Sequence, residues 1–153
     1  MLYLASDHAG FKLKEKIKSW LDKSNINFID IGPFKYNELD DYPDFIIPAA
    51  KMVGKNPMKN KAIVIGYSGQ GEAIAANKVK NVRAAVYYGG PLKIILLSKT
   101  HNNSNILSLG AGFLTEKQAI LAISNWLGVK FTKEKRHLRR IKKITNFENK
   151  QNA

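Results

Sequence analysis

Apolar residues return along this chain in two rhythms. Short apolar runs alternate with longer stretches in which apolar positions recur every three or four residues, the periods of buried strand and amphipathic helix. The runs at 2–5, 28–31, 62–65, 82–87 and 105–109 read as strands. Between them, helices are expected over 11–21, where Phe11, Leu13, Ile17, Trp20 and Leu21 form the apolar face, and from Tyr42-Pro43-Asp44 to about Val53. Proline suits the start of that second helix. Further helices are expected over 72–77, 91–98 and 115–127, the last with Thr115 as N-cap. After Gly128, residues 131–145 read as a basic final helix, and 146–153, rich in Asn and Gln, as a frayed, disordered tail. Gly32-Pro33 stops the second strand, and 34–41 form a polar loop.

Strand and helix alternate five times, the pattern of an α/β fold. The expected architecture is a three-layer sandwich. Its centre is a five-stranded, parallel, doubly wound Rossmann-like sheet, and a C-terminal helix is added to a single domain over residues 1–145. Such sheets bind ligands beyond the carboxyl ends of their strands, near the point where strand order reverses.

One stretch concentrates the candidate chemistry: KAIVIGYSGQGEAIAANK, residues 61–78. A strand, a glycine-rich turn and a helix start converge free backbone N–H groups, which favours an anion. Glu72 stands beside them, although glutamate in a first helical turn also serves as a plain dipole partner. Other polar residues fall at strand ends: Asp7 and His8 after the first, Tyr42 after the second, Ser68 to Glu72 after the third. His101 and Asn102 precede the fifth strand, so their place is less defined. For Asp7 the alternative is a turn or cap before the first helix.

Composition narrows the field. The 153 residues suffice for one domain with a core. No apolar run is long enough to cross a membrane, and no charged segment precedes a long apolar one, so neither a membrane partner nor a secretory signal is expected. The absence of cysteine excludes disulfides, a thiolate nucleophile and a cysteine metal site, and fits a cytoplasmic protein. The three histidines, His8, His101 and His137, show no His-x-x-x-His spacing, so no metal is expected.

The net charge of +13 admits nucleic acid, acidic surfaces or phosphorylated small molecules as partners. Lys12, Lys14, Lys16 and Lys18 read as a solvated helix surface. The run KEKRHLRRIKK, 133–143, holds Arg136, Arg139 and Arg140, three of the four arginines. No aromatic platform or nucleic-acid motif accompanies it, so nucleic acid is not the expected partner.

Six blocks in order carry a more specific signal: SDHAGFKLK, DYPD, SGQGEAIAANKV, HN, NILSLGA and RHLRR. From residue 3 to about 145 they resemble the ribose-5-phosphate isomerase B family, which also contains galactose-6-phosphate isomerase subunits. The resemblance implies an aldose–ketose isomerase acting on a sugar phosphate through an enediolate, with no cofactor. In one branch the base is a cysteine at the position of Gly66; in the other it is the glutamate of the glycine loop, here Glu72. By the same resemblance Asp7 and His101 open the sugar ring. Ser68 with the N–H groups at Gly69 and Gly71 holds the oxyanion, and Asn102 and Tyr42 contact the sugar. His8, Arg136 and Arg140 bind the phosphate. The arginines would reach over from a neighbouring subunit, which makes the active unit a homodimer with a shared site, and a tetramer stays open.

Two positions depart from the pattern. Gly112 stands where relatives usually carry an arginine after LGA, leaving Lys93 or Lys99 as replacement cations. Tyr67 stands where many relatives have glycine. Ribose 5-phosphate is the leading substrate, because the resemblance puts both the Glu72 base and the ring-opening pair in one chain. The alternatives are a hexose 6-phosphate (galactose or allose), or a catalytically silent phosphosugar-binding role, which the missing arginine would support.

Overall fold

The computed structural model describes residues 1–151. Five parallel strands and six helices follow one another: β1 (Leu2–Ser6), α1 (His8–Lys23), β2 (Phe28–Asp30), α2 (Pro43–Lys55), β3 (Lys61–Gly66), α3 (Gln70–Ala76), β4 (Ala84–Tyr87), α4 (Lys93–Thr100), β5 (Ile106–Gly110), α5 (Glu116–Gly128) and α6 (Lys135–Gln151). The strand order is β2-β1-β3-β5-β4. β1 pairs with β3 from Leu2↔Lys61 to Ser6↔Ile65, and β3 with β5 from Ala62↔Ile106 to Gly66↔Gly110.

The central strands are buried along nearly their whole length, as expected where helices cover both faces of a parallel sheet. On one face α5 packs between α1 and α4; on the other α2 packs against α3. Each face has its own apolar cluster. Ile17, Leu21, Ile63, Leu107, Ile123 and Trp126 belong to one, and Ile46, Ala50, Val53, Val64 and Ile106 to the other. The chain leaves β1 toward β2 and returns across β1 to β3, so the order reverses between β1 and β3. The carboxyl ends of these two strands open the crevice.

The helix starts differ from the sequence expectation in instructive ways. α1 begins at His8 rather than Phe11, because the Asp7 carboxylate accepts from the Gly10 N–H at 2.9 Å and winds the turn residues into the helix. Thr115 caps α5, reciprocated by Gln118, in a capping box. α6 begins at Lys135 rather than 131, since Lys133 adopts φ 57°, outside the helical region. It then runs to Gln151, past residue 145; of the expected tail, 152 and 153 lie outside the described residues.

Lys14 is not solvated. Its side chain is fully buried and gives hydrogen bonds to Asp30 at 2.7 Å and the Pro33 carbonyl at 2.6 Å, tying α1 to the end of β2. Among the described residues no helix is long and apolar enough to cross a membrane.

Candidate active site

β3 ends at Gly66, and the chain turns through Tyr67, Ser68 and Gly69 into α3. Gly69 sits at φ 76°, a left-handed conformation that glycine adopts without penalty. The loop is pinned from β5: Ser108 Oγ donates to the Gly69 carbonyl at 2.6 Å, and the N–H groups of Ala111 and Gly112 donate to the Gly66 and Tyr67 carbonyls at 2.8 Å. Ser68 Oγ accepts from the Gln70 N–H at 3.3 Å. The first N–H groups of α3, Gly71 among them, have no acceptor within the helix and lie at its start, directly after this loop.

Glu72 lies in the first turn of α3 and is only 4% exposed. Its carboxylate folds back over Gly66: a Cβ at residue 66 would overlap Glu72 Oε1 and Cδ. Gly66 thus leaves the space the carboxylate fills. A side chain at 66 and a carboxylate from 72 compete for one volume. Burial raises the Glu72 pKa, the negative charge of Asp7 adds to it, and a hydrogen bond from its own backbone opposes it.

Asp7 is buried at the end of β1 and caps α1. The capping role raised as the alternative for Asp7 is thus the one the geometry shows. His8 follows in the first turn of α1. Its N–H and Nδ1 both meet Asp40 Oδ1 at 2.8 Å. That hydrogen bond raises the His8 pKa and favours an imidazolium, the form that suits an anion. Tyr42 closes the third side: a Cβ on Gly71 would lie 2.9 Å from Tyr42 Cζ. Asp7, His8, Tyr42, Ser68, Gly69, Gly71 and Glu72 all belong to this carboxyl end of the sheet.

His101 and Asn102 do not join them. In a parallel sheet α4 leads from the carboxyl end of β4 to the amino end of β5, so its last turn lies at the opposite edge. His101 is the C-cap of α4. A five-residue strand spans roughly 16 Å, which sets the scale of the separation. Within one copy of the chain His101 therefore lies apart from Asp7. His101 instead stacks on His137 of α6, with ring centroids 4.2 Å apart. Asn102 and Arg140 line a cleft of about 410 Å³ between α6 and the β4 edge, together with Arg83. Arg136 is exposed one residue before His137 and pairs with Glu134 at 2.9 Å. The candidate residues thus form two groups, one at each end of the sheet.

Gly112 and Tyr67 are also coupled. A Cβ at residue 112 would lie 2.5 Å from Tyr67 Cε2, so the phenol ring occupies the volume a larger residue there would need. The ring meets Phe113 edge-on at 5.6 Å, and Phe113 meets Tyr88 at 5.9 Å, an exposed aromatic rim beside the glycine loop. Lys99 cannot supply the absent cation. It is buried, donates to the Ser104 carbonyl at 2.7 Å and lies 4.5 Å from the Trp126 ring centre. Burial draws its pKa down to about 8. Lys93, exposed at the start of α4, lies at the carboxyl end of the sheet.

Three contributors escaped the sequence reading: Asp40, His137 and the packing of Tyr67 on Gly112. Asp40 sits in a polar loop with no motif to mark it. His137 carried a signal, a histidine inside an arginine-rich run, but its contact with His101 joins elements distant in the chain.

Comparison with known proteins bears on the whole chain. The Ribose/Galactose Isomerase family matches residues 2–144. Ribose-5-phosphate isomerase B of Mycolicibacterium paratuberculosis is 38% identical over 96% of this chain and 91% of its own. A probable ribose-5-phosphate isomerase B of Mycoplasma genitalium is 39% identical over 96% of this chain and 95% of its own. The crystal structure of the Mycoplasma genitalium ribose-5-phosphate isomerase B with bound ribulose-5-phosphate superposes with a TM-score of 0.91 at 38% identity, covering 97% of this chain and 95% of that one. The Clostridium thermocellum ribose-5-phosphate isomerase B gives 0.90 at 37% identity, covering 98% of each chain. With its sheet order, its glycine loop and nearly its full length accounted for, this chain belongs to the ribose/galactose isomerase family, a family of sugar isomerases.

Proposed function

We propose that this protein interconverts ribose 5-phosphate and ribulose 5-phosphate through an enediolate, with Glu72 as the base. The observation that carries the reading is the buried Glu72 carboxylate, laid over Gly66 and beside the glycine loop, with its pKa raised by burial. A carboxylate with a raised pKa is a stronger base that can take a proton from carbon and return it to the next carbon near neutral pH. Proton transfer of this kind contributes about 10²–10⁴-fold in rate. The Gly69 and Gly71 N–H groups and the Ser68 hydroxyl face the developing oxyanion. His8 holds the phosphate as a cation, and Tyr42 bounds the sugar.

Asp7 and His101 open the furanose, and Asn102 holds substrate oxygens. Because His101, Asn102, Arg136 and Arg140 lie at the far end of the same sheet, they serve a second copy of the chain. A two-fold dimer then completes two composite sites at once. The exposed Leu138, Ile144 and Phe147 of α6 and the rim of Tyr67, Tyr88 and Phe113 supply apolar surface for that contact. Arg136 and Arg140 are suited to phosphate by their forked donors. Tyr67 over Gly112 narrows the mouth, which favours the pentose over a hexose 6-phosphate.

The test is turnover of ribose 5-phosphate, allose 6-phosphate and galactose 6-phosphate by the wild type and Glu72→Gln. Turnover of the pentose that Glu72→Gln lowers by about 10²-fold or more, while substrate still binds, supports the reading. Turnover of a hexose phosphate alone overturns the substrate, and binding without any turnover makes the chain a silent sugar-phosphate binder.

A further inference from the structure

His137 has no task in the chemistry above, yet it is the most enclosed of the three histidines, 2% exposed. Its ring lies 4.2 Å from that of His101, with the planes inclined by 32°. This is a close, tilted ring-on-ring contact that restricts how either ring can turn. Thr132 holds the other side. Its hydroxyl donates to the Thr100 carbonyl at 2.9 Å and stands 3.3 Å from His137 Nδ1. A hydroxyl has one proton to give. With that proton on Thr100, Thr132 accepts from His137, so Nδ1 carries the hydrogen.

The neutral form of the ring is favoured for a physical reason. Burial lowers its pKa, and the facing His101 and the neighbouring Arg136 and Arg140 add to this against Glu134. A neutral ring stacks on His101 without charge repulsion. The backbone also ties the segment before α6 to the end of α4, where the Thr132 N–H donates to the Thr100 carbonyl at 3.2 Å. One pair of rings therefore connects the end of α4, which carries His101 and Asn102, to α6, which carries Arg136 and Arg140.

We propose that His137 is a positioning residue that holds the His101 imidazole in the plane from which it opens the sugar ring, and keeps it in register with the arginines of α6. The proposal rests on the reading of His101 as a ring-opening group. Ring opening places a proton on the ring oxygen and removes one from the anomeric hydroxyl as the bond between carbon 1 and that oxygen breaks, leaving the aldehyde. Ribulose 5-phosphate cannot close to a furanose, because its carbon 5 oxygen is esterified. Its enediolate chemistry at Glu72 needs no ring opening, so the two steps can be read separately.

The experiment uses the full chain as wild type, His137→Ala, His137→Asn, His137→Phe and His101→Ala, with thermal melting to identify folded variants. Two rates are read: turnover of ribose 5-phosphate, and exchange of solvent deuterium into ribulose 5-phosphate. Misplacing a reacting group by about 1 Å costs up to about 10²-fold. His137→Ala and His137→Asn are expected to lose about ten- to a hundredfold in ribose 5-phosphate turnover, with exchange kept within about twofold. His137→Phe, which restores a ring to stack, is expected within about threefold of wild type in both. If His137→Ala does not fold, His137→Asn carries the same comparison. Equal loss of both rates, no loss of either, or His137→Phe as impaired as the two ring-deleted variants overturns the proposal. If His101→Ala leaves ribose 5-phosphate turnover intact, the reading of His101 itself falls, a result distinct from any outcome at His137.

Discussion

Gly66 and Glu72 show how much of the site is decided by one missing Cβ. The carboxylate occupies the space beside the backbone of residue 66. Gly66→Ala is expected to displace it and to lower turnover by about 10²-fold, comparable to loss of the base itself, while the chain stays folded; steady-state kinetics with a melting curve check this. The pH dependence has a defined sign. Under the proposed mechanism Glu72 must be ionised to act, and its folded pKa is raised. Activity is expected to fall on the acid side at a pH above the ordinary carboxylate value, and Glu72→Gln should remove that limb from whatever rate remains. The same shift is a stability statement. A carboxyl group with a raised folded pKa stabilises the fold fully below its unfolded pKa, and this is lost as pH rises through the folded value. At neutral pH the ionised Glu72 is a cost, so Glu72→Gln should melt higher than wild type at pH 7 and lose that advantage in acid. The loop and the place of Glu72 at its helix start were legible in the sequence because an apolar run, a glycine-rich turn and good helix formers follow one another. The overlap with Gly66 was not, because it depends on a side-chain rotamer.

The elements were largely legible, since each strand and helix carries a clean apolar period and local stop signals. Thr115 with Gln118 is one such signal. Lys14 is the counterexample: its sequence context is a lysine-rich helix, and only the packing of α1 against β2 reveals it as an internal tie. Burial lowers its pKa while Asp30 opposes the shift. Lys14→Met leaves Asp30 short of its closest partner at the sheet edge, with Lys18 as its remaining cation and the Gly32 N–H as a hydrogen-bond donor. Chemical denaturation is expected to show a loss of about 3 kcal/mol, the scale of breaking a buried ion pair. Thr115→Ala, which removes a capping hydrogen bond at an exposed helix start, should cost only about 1 kcal/mol. A similar cost for the two would contradict the assignment of Lys14 as an internal tie.

For the whole molecule, strand order decides which residues meet. Sequence proximity to strand ends gathered Asp7, His8, Tyr42 and the glycine loop correctly. It left His101 and Asn102 unplaced, because their position depends on where α4 ends, and that end lies at the amino edge of the sheet. The separation turns the family resemblance into a geometric claim: the Glu72 of one copy works with the His101 of another. Mixing two inactive variants, Glu72→Gln and His101→Ala, tests this directly. Each alone should retain about a hundredth of wild-type turnover or less. After subunit exchange, half of the dimers are hybrids with one of two sites intact, so about one quarter of wild-type activity should return. Hybrid dimers, shown to form by copurification of differently tagged chains, that regain no activity would contradict the composite site.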